Sequence, residues 1–123
     1  MLNMTIVIGS LAKPVEVRAL PSGISLASFD LSVPRHDGPA DLVPVALFEA
    51  PDEVSGWTAG LGLLAIGRVR RRFFRVGGNT QSRTEVVAEK VVSVTNFDGI
   101  SSALASVSAV FECVLEDLLP AGP

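Results

Sequence analysis

The residues from Gly67 to Arg75 read Gly-Arg-Val-Arg-Arg-Arg-Phe-Phe-Arg, a run dense in cations and ending beside two aromatic rings. In a strand, every second side chain points to the same face. Arg68, Arg70, Arg72 and Phe74 then line one surface, while Val69, Arg71 and Phe73 line the other. Guanidinium groups hold phosphates, and a ring offers a platform to an unpaired base. Three cations leading to a ring therefore have the chemistry of a single-stranded nucleic-acid track. The same run also fits a solvated basic strand whose Phe merely packs, and a short basic motif does not separate the two.

Other chemistry is thinly supplied. His36 is the single histidine and sits in a polar loop with Asp37 and Asp41. Cys113 falls in a helical pattern with no histidine to activate it, which fits side-chain packing better than nucleophilic work. No Cys/His cluster has zinc spacing, and Gly60-Leu61-Gly62 precedes a strand, not the helix that a phosphate loop requires. These residues imply a binding protein without catalytic residues, metal or other cofactor.

The chain has 123 residues, 48% of them apolar and 19% charged, which implies one ordered domain with a real core. Its formal net charge is -3, but the distribution matters more than the sum for phosphate binding. All ten Lys and Arg residues lie between Lys13 and Lys90, and from Phe97 onward there are four acids and no base. That asymmetry implies a nearly neutral body with one basic face, followed by an acidic appendage. No uninterrupted apolar run approaches the roughly 18 residues of a membrane span, so no membrane partner is expected. Met1 to Ile8 lacks the basic start of a signal peptide, and a lone cysteine suits a reducing cytoplasm.

The elements that would position the basic run are mostly strands. Met4 to Leu11, Val15 to Ala19, Ile24 to Val33 and Leu42 to Phe48 are β-rich, broken by Pro14, by Pro21-Ser22-Gly23 and by a polar loop from Pro34 to Asp41. Pro51 to Ala59 reads as a short helix, with Pro51 at its start and Asp52 and Glu53 at the positive end of its dipole. Leu63 to Val76 and Arg83 to Val94 are long strands joined by the hairpin signal Gly77-Gly78-Asn79. Five main strands with a short helix between the third and fourth is the order of an all-β, five-stranded OB-fold barrel. After Asn96 the period changes. Ile100, Leu104, Val107, Phe111, Val114 and Leu118 form a helical stripe, with Asp98 as the expected N-cap and Pro120 as the stop. The division expected is an OB-fold domain over residues 1–96 and a C-terminal amphipathic helix with a short tail over 97–123.

Taken in order, these segments resemble the bacterial single-stranded DNA-binding protein family. Val7-Ile8-Gly9-Ser10-Leu11 matches the opening strand that ends Gly-Asn-Leu, and Glu16-Val17-Arg18 matches part of a Pro-Glu-x-Arg element. Pro21-Ser22-Gly23 with Leu26-Ala27-Ser28-Phe29, then Val45-Ala46-Leu47-Phe48, Gly67 to Phe74, and Thr84 to Val87 continue the series. The resemblance implies binding of single-stranded DNA without strong sequence specificity, in replication, recombination or repair, by a cytoplasmic, nucleoid-associated homotetramer or dimer. It places Arg68, Arg70, Arg72, Arg18 and Arg83 on phosphates, and Phe74 and Phe48 under bases.

The departures carry information too. The family stacks bases on three Trp and one Phe. Phe74 stands at the fourth-strand Trp position and Phe48 at the Phe position, but Leu42 stands at the third-strand Trp position and the loop Trp position, near Asp37, has no Trp. Trp57, the only Trp, lies where the family has an apolar core residue and is read as core. Each lost platform removes on the order of 1–3 kcal/mol. The family's Gly/Pro-rich linker and its tip ending Asp-Ile-Pro-Phe have no match in the closing Leu-Leu-Pro-Ala-Gly-Pro, so recruitment of repair proteins is not carried over. The lost rings and low net charge leave a second reading: an OB-fold of primosomal type that acts through protein contacts and oligomerisation.

Overall fold

Turn residues divide the body of the chain into strands, and the computed structural model describes residues 2–119. Six strands run in order: β1 (Thr5–Leu11), β2 (Glu16–Ala19), β3 (Ser25–Val33), β4 (Asp41–Phe48), β5 (Gly62–Val76) and β6 (Asn79–Ser93). The helix α1 follows at Phe97–Leu118. The six-stranded sheet has the order β1-β5-β6-β4-β3-β2. All pairs are antiparallel except β4 with β6, which meet in parallel at Val45↔Val86 and Ala46↔Val87. β1 also reaches β3 through Ser10↔Ser32 and Leu11↔Leu31, so the pairing returns to the strand where it began.

Alternation puts the core on one side of this sheet. Val7, Leu11, Ala27, Phe29, Leu31, Val45, Leu47, Leu63, Ala65, Val86 and Ala88 meet in a single buried cluster with Val54. Trp57 packs against it, its ring edge-on to Phe29 at 85° with centroids 6.1 Å apart. The only Trp is therefore a core residue, as its position in the sequence implied.

Three details differ from expectation. The strand count is six and not five, because Glu16–Ala19 pairs as a strand of its own beside β3. The short helix expected over Pro51 to Ala59 does not form; Asp52–Gly56 makes a brief 3-10 turn between β4 and β5. Trp57 follows in extended conformation (φ -74°, ψ 129°), and its seat on Phe29 draws the chain out of the helical path. The N-cap of α1 is Asn96, not Asp98: the Asn96 side-chain oxygen accepts from the Gly99 N–H at 2.9 Å, and Asp98 sits in the first turn. Pro120, the expected stop, lies outside the described residues.

The helical stripe is only partly used. α1 seats Ala103 and Val107, with Ile100, on Leu64 and Ile66 of β5. At about 100° per residue, Leu104 turns away from the line through Ala103 and Val107, whereas Phe111 and Leu118 return close to the azimuth of Ile100 but lie beyond the last packed residue, Val107. All three stay exposed, and Val114 is half-buried. The small side chain of Ala103 lets the helix approach closely, which the larger stripe residues would not. By length and composition α1 is also apolar enough to cross a membrane, although its serines and acids interrupt every apolar run.

Candidate nucleic-acid interface

The outer side of β5 is divided between two tasks. Leu64 and Ile66 lie under α1, and the residues that continue the same side are Arg68, Arg70, Arg72 and Phe74. At the junction the ladder with β6 shifts by one residue, between Ile66 and Gly67. A side chain at Gly67 would collide with the Val87 carbonyl oxygen, so the bulge demands glycine there. Beyond it the register is unbroken down to a two-residue loop, Gly77-Gly78, both with positive φ. That primed turn matches strand twist and fixes which residues face each other. Arg70 faces Glu85, and Arg72 faces Arg83.

These cations meet residues from distant strands. Two adjoining clefts of about 300 and 290 Å³ share Arg18, Ser28, Arg72 and Glu85 as walls. Lys13, Asp30 and Arg83 extend the groove at one end, and Arg70, Phe48 and Leu26 at the other. Arg18 arrives because β2 pairs with β3, where Arg18 faces Leu26, and Leu26 in turn faces Phe48 on β4. Five of the seven residues expected at the site (Arg18, Arg70, Arg72, Arg83 and Phe48) thus line one groove. Phe74 lies further along the hairpin, half-buried, with the Arg72 guanidinium 5.3 Å from its ring centre. Arg68 is exposed on the same side but does not line the groove.

Glu85 organises the groove, and the sequence reading missed it. It is only 7% exposed, and its Oε1 accepts from Arg70 Nη2 at 2.8 Å and from Arg72 Nε at 3.1 Å. Burial pushes its carboxyl up, but hydrogen bonds from Arg70 and Arg72, with the charges of both, outweigh this and hold it below the ordinary 4.5. A charged Glu85 therefore locks both guanidiniums. Arg70 is further fixed over the Phe48 ring at 5.7 Å. In that pose its Nε is buried without a hydrogen-bond partner among the described residues. Arg83 lies 3.8 Å from Asp30, a looser pairing. With Glu16 included, the groove holds five cations against three carboxylates, so it keeps a positive excess on a chain whose net charge is -3.

Leu42 continues the outer face of β4 and is 61% exposed, opposite Ser32 of β3. Leu42 offers no ring there, and among the described residues Phe48 is the ring on this face of β4. The signal that would have revealed Glu85 was available: once Gly77-Gly78 is taken as a two-residue loop, Arg70 and Glu85 stand equally far from it. Among the described residues, no group of three or more His, Cys, Asp or Glu is placed to hold a metal ion. His36 is exposed in its loop, and Cys113 is exposed on α1.

The sequence matches no family model. It is 36% identical over 98 residues to single-stranded DNA-binding protein 1 of Streptococcus pyogenes, a match spanning 72% of this chain and 75% of that protein. The chain belongs to the single-stranded DNA-binding protein family. Single-stranded DNA-binding protein 2 of Staphylococcus aureus is a further relative, 32% identical over 100 residues, with 74% of this chain and 71% of the relative aligned. Among solved structures, a deletion mutant of the single-stranded DNA binding protein from Thermus aquaticus matches with a TM-score of 0.62 and 25% identity, over 75% of this chain and 40% of that one. The family's OB-fold is thus shared, and proteins of this family are named for binding, not for catalysis.

Proposed function

We propose that this chain binds single-stranded DNA with little base preference, through the groove between β2 and the β5–β6 hairpin. The observation that carries this reading is the convergence of Arg18, Arg70, Arg72, Arg83 and Phe48 from separate strands onto one groove, in a chain whose relatives are single-stranded DNA-binding proteins. Guanidiniums hold the phosphates, Phe48 and Phe74 accept unpaired bases, and Arg68 extends the track along β5. Only unpaired bases expose a π-face, which is why the ring positions favour a single strand over a duplex.

The ring of pairings through β1, β5, β6, β4 and β3 is read as a closed OB barrel over residues 1–96, with 97–123 as an added helix and tail. A homotetramer, or failing that a dimer, acting on the nucleoid in the cytoplasm during replication, recombination or repair completes the proposal. Its support is kinship with the family. The test is a competition at low salt between an oligo-dT and a duplex of equal length. Strong preference for oligo-dT is expected, and equal affinity overturns the reading.

A further inference from the structure

The β5–β6 hairpin has a second basic and aromatic surface, on the side away from the groove. Val69, Arg71, Phe73 and Arg75 of β5 share it with Thr80, Ser82, Thr84 and Val86 of β6, which face them across the ladder. The chemistry repeats that of the groove side. The Arg71 guanidinium lies 5.0 Å from the centre of the Phe73 ring, and Phe73 is 62% exposed against 36% for Phe48. Two features differ, and both favour a polyanion. The groove side carries Glu85 between its arginines, whereas the reverse side of the hairpin has no carboxylate on either strand. Neither Arg71 nor Arg75 is in an ion pair among the described residues. Their guanidiniums are steadied by neutral acceptors instead, Ser82 Oγ at 3.2 Å and the Gly78 carbonyl at 3.0 Å, which leave the positive charge uncompensated.

We infer that this reverse face, built on Arg71, Phe73 and Arg75, is a second contact surface for single-stranded nucleic acid, reached when a strand leaving the groove rounds the hairpin. The inference rests on the function proposed above. Continuity supports it, because Arg72 and Phe74 on one side alternate with Arg71, Phe73 and Arg75 on the other along the same few residues. A strand passing the hairpin edge meets both sets. At the edge of β5 the Asn3 side chain exchanges two hydrogen bonds with the Val69 backbone, 2.7 and 3.0 Å, which hold the strand where this face begins. A second copy of this chain is a poorer occupant, since two such faces would bring uncompensated arginines together.

Phe73→Trp and Phe74→Trp place a fluorescent ring on either face, with wild-type Trp57 emission as the reference. Each is titrated with an oligo-dT of about 8 nucleotides, within the span of one OB fold, and with one several times longer. The Phe74→Trp signal is expected to respond to both lengths and the Phe73→Trp signal to the longer one. Arg71→Ala with Phe73→Ala is expected to weaken binding of the long oligomer about tenfold. If Phe74→Trp responds but Phe73→Trp does not, and the double variant binds the long oligomer as wild type does, the reverse face is no contact surface and the groove reading stands. If wild type binds neither oligomer, both readings fall. If the double variant changes the mass in light scattering and not the affinity, the face lies between copies of the chain, and the inference is overturned.

Discussion

Glu85 gives the groove both order and a limit on its charge. It sets the positions of Arg70 and Arg72 while cancelling part of their attraction for phosphate. Glu85→Gln should therefore steepen the dependence of oligo-dT affinity on salt and lower the melting temperature at neutral pH. The sign with pH follows from the lowered pKa. A carboxyl held below its ordinary 4.5 adds stability that is complete above that value and is lost as pH falls through the lowered one. The gap in melting temperature between wild type and Glu85→Gln should accordingly close on acidification below 4.5, and a gap that stays constant would show that Glu85 is not held by its arginines. The same contact governs how the arginines are to be tested. Removing both from wild type strands a nearly buried carboxylate, which is destabilising in itself. In a Glu85→Gln background, Arg70→Ala with Arg72→Ala should flatten the plot of log K against log salt by about 1.4, for two phosphate contacts on a single strand. Phe48→Ala should instead reduce affinity at every salt concentration, by about 1–3 kcal/mol.

At the scale of elements, the long hairpin was the most legible part of the chain and the groove beside it the least. Gly77-Gly78 announces a two-residue turn, and alternation from Arg68 to Phe74 then assigns faces with no further information. The ladder runs to the turn at Val76↔Asn79, where the sequence placed the start of the last strand at Arg83. That difference arises because Thr80, Gln81 and Ser82 are polar and carry no apolar alternation, yet pair as backbone. Arg18 and Phe48 were nameable only through resemblance, since nothing local says that β2 and β4 flank β3 in the register that brings them to Arg70. The bulge at Gly67 was equally hidden: alternation runs straight through it, and only the partner strand shows the skipped residue. Gly67→Ala tests whether the bulge sets the track. It should lower stability by several kcal/mol through backbone collision. Conversely, Gly77→Ala meets no neighbouring atom and suffers only its positive φ, so it should cost about 1 kcal/mol. Similar losses from the two, measured by denaturant unfolding, would mean that the bulge is tolerant and the register softer than the ladder implies.

The whole molecule joins a locally positive groove to an acidic helix. Removing residues 97–123 takes away four acids and no base, and turns the net charge from -3 to +1. It also uncovers Leu64 and Ile66, which are nearly fully buried beneath Ala103 and Val107. Fully burying a side chain of that size contributes about 1.5–3 kcal/mol, so the truncated chain should melt at a clearly lower temperature. The sequence located this helix to within a residue or two and included Ile100 and Val107 of its inner face, but a stripe of large residues was weighed above the small Ala103 that allows close approach. Leu104, Phe111, Leu115 and Leu118 remain exposed, and they give the truncation a second readout. Should these side chains contribute to the proposed oligomer, mass by light scattering falls on truncation; should the oligomer form through the strands alone, it does not. DNA binding separates the electrostatic part. No carboxylate of α1 pairs with a groove arginine among the described residues, so its charges act through the field, which is screened beyond about 10 Å at 0.1 M salt. Truncation is therefore expected to raise affinity at low salt and leave it unchanged near 0.1 M. A gain that persists at high salt would place the acidic helix in direct competition with DNA for the arginines.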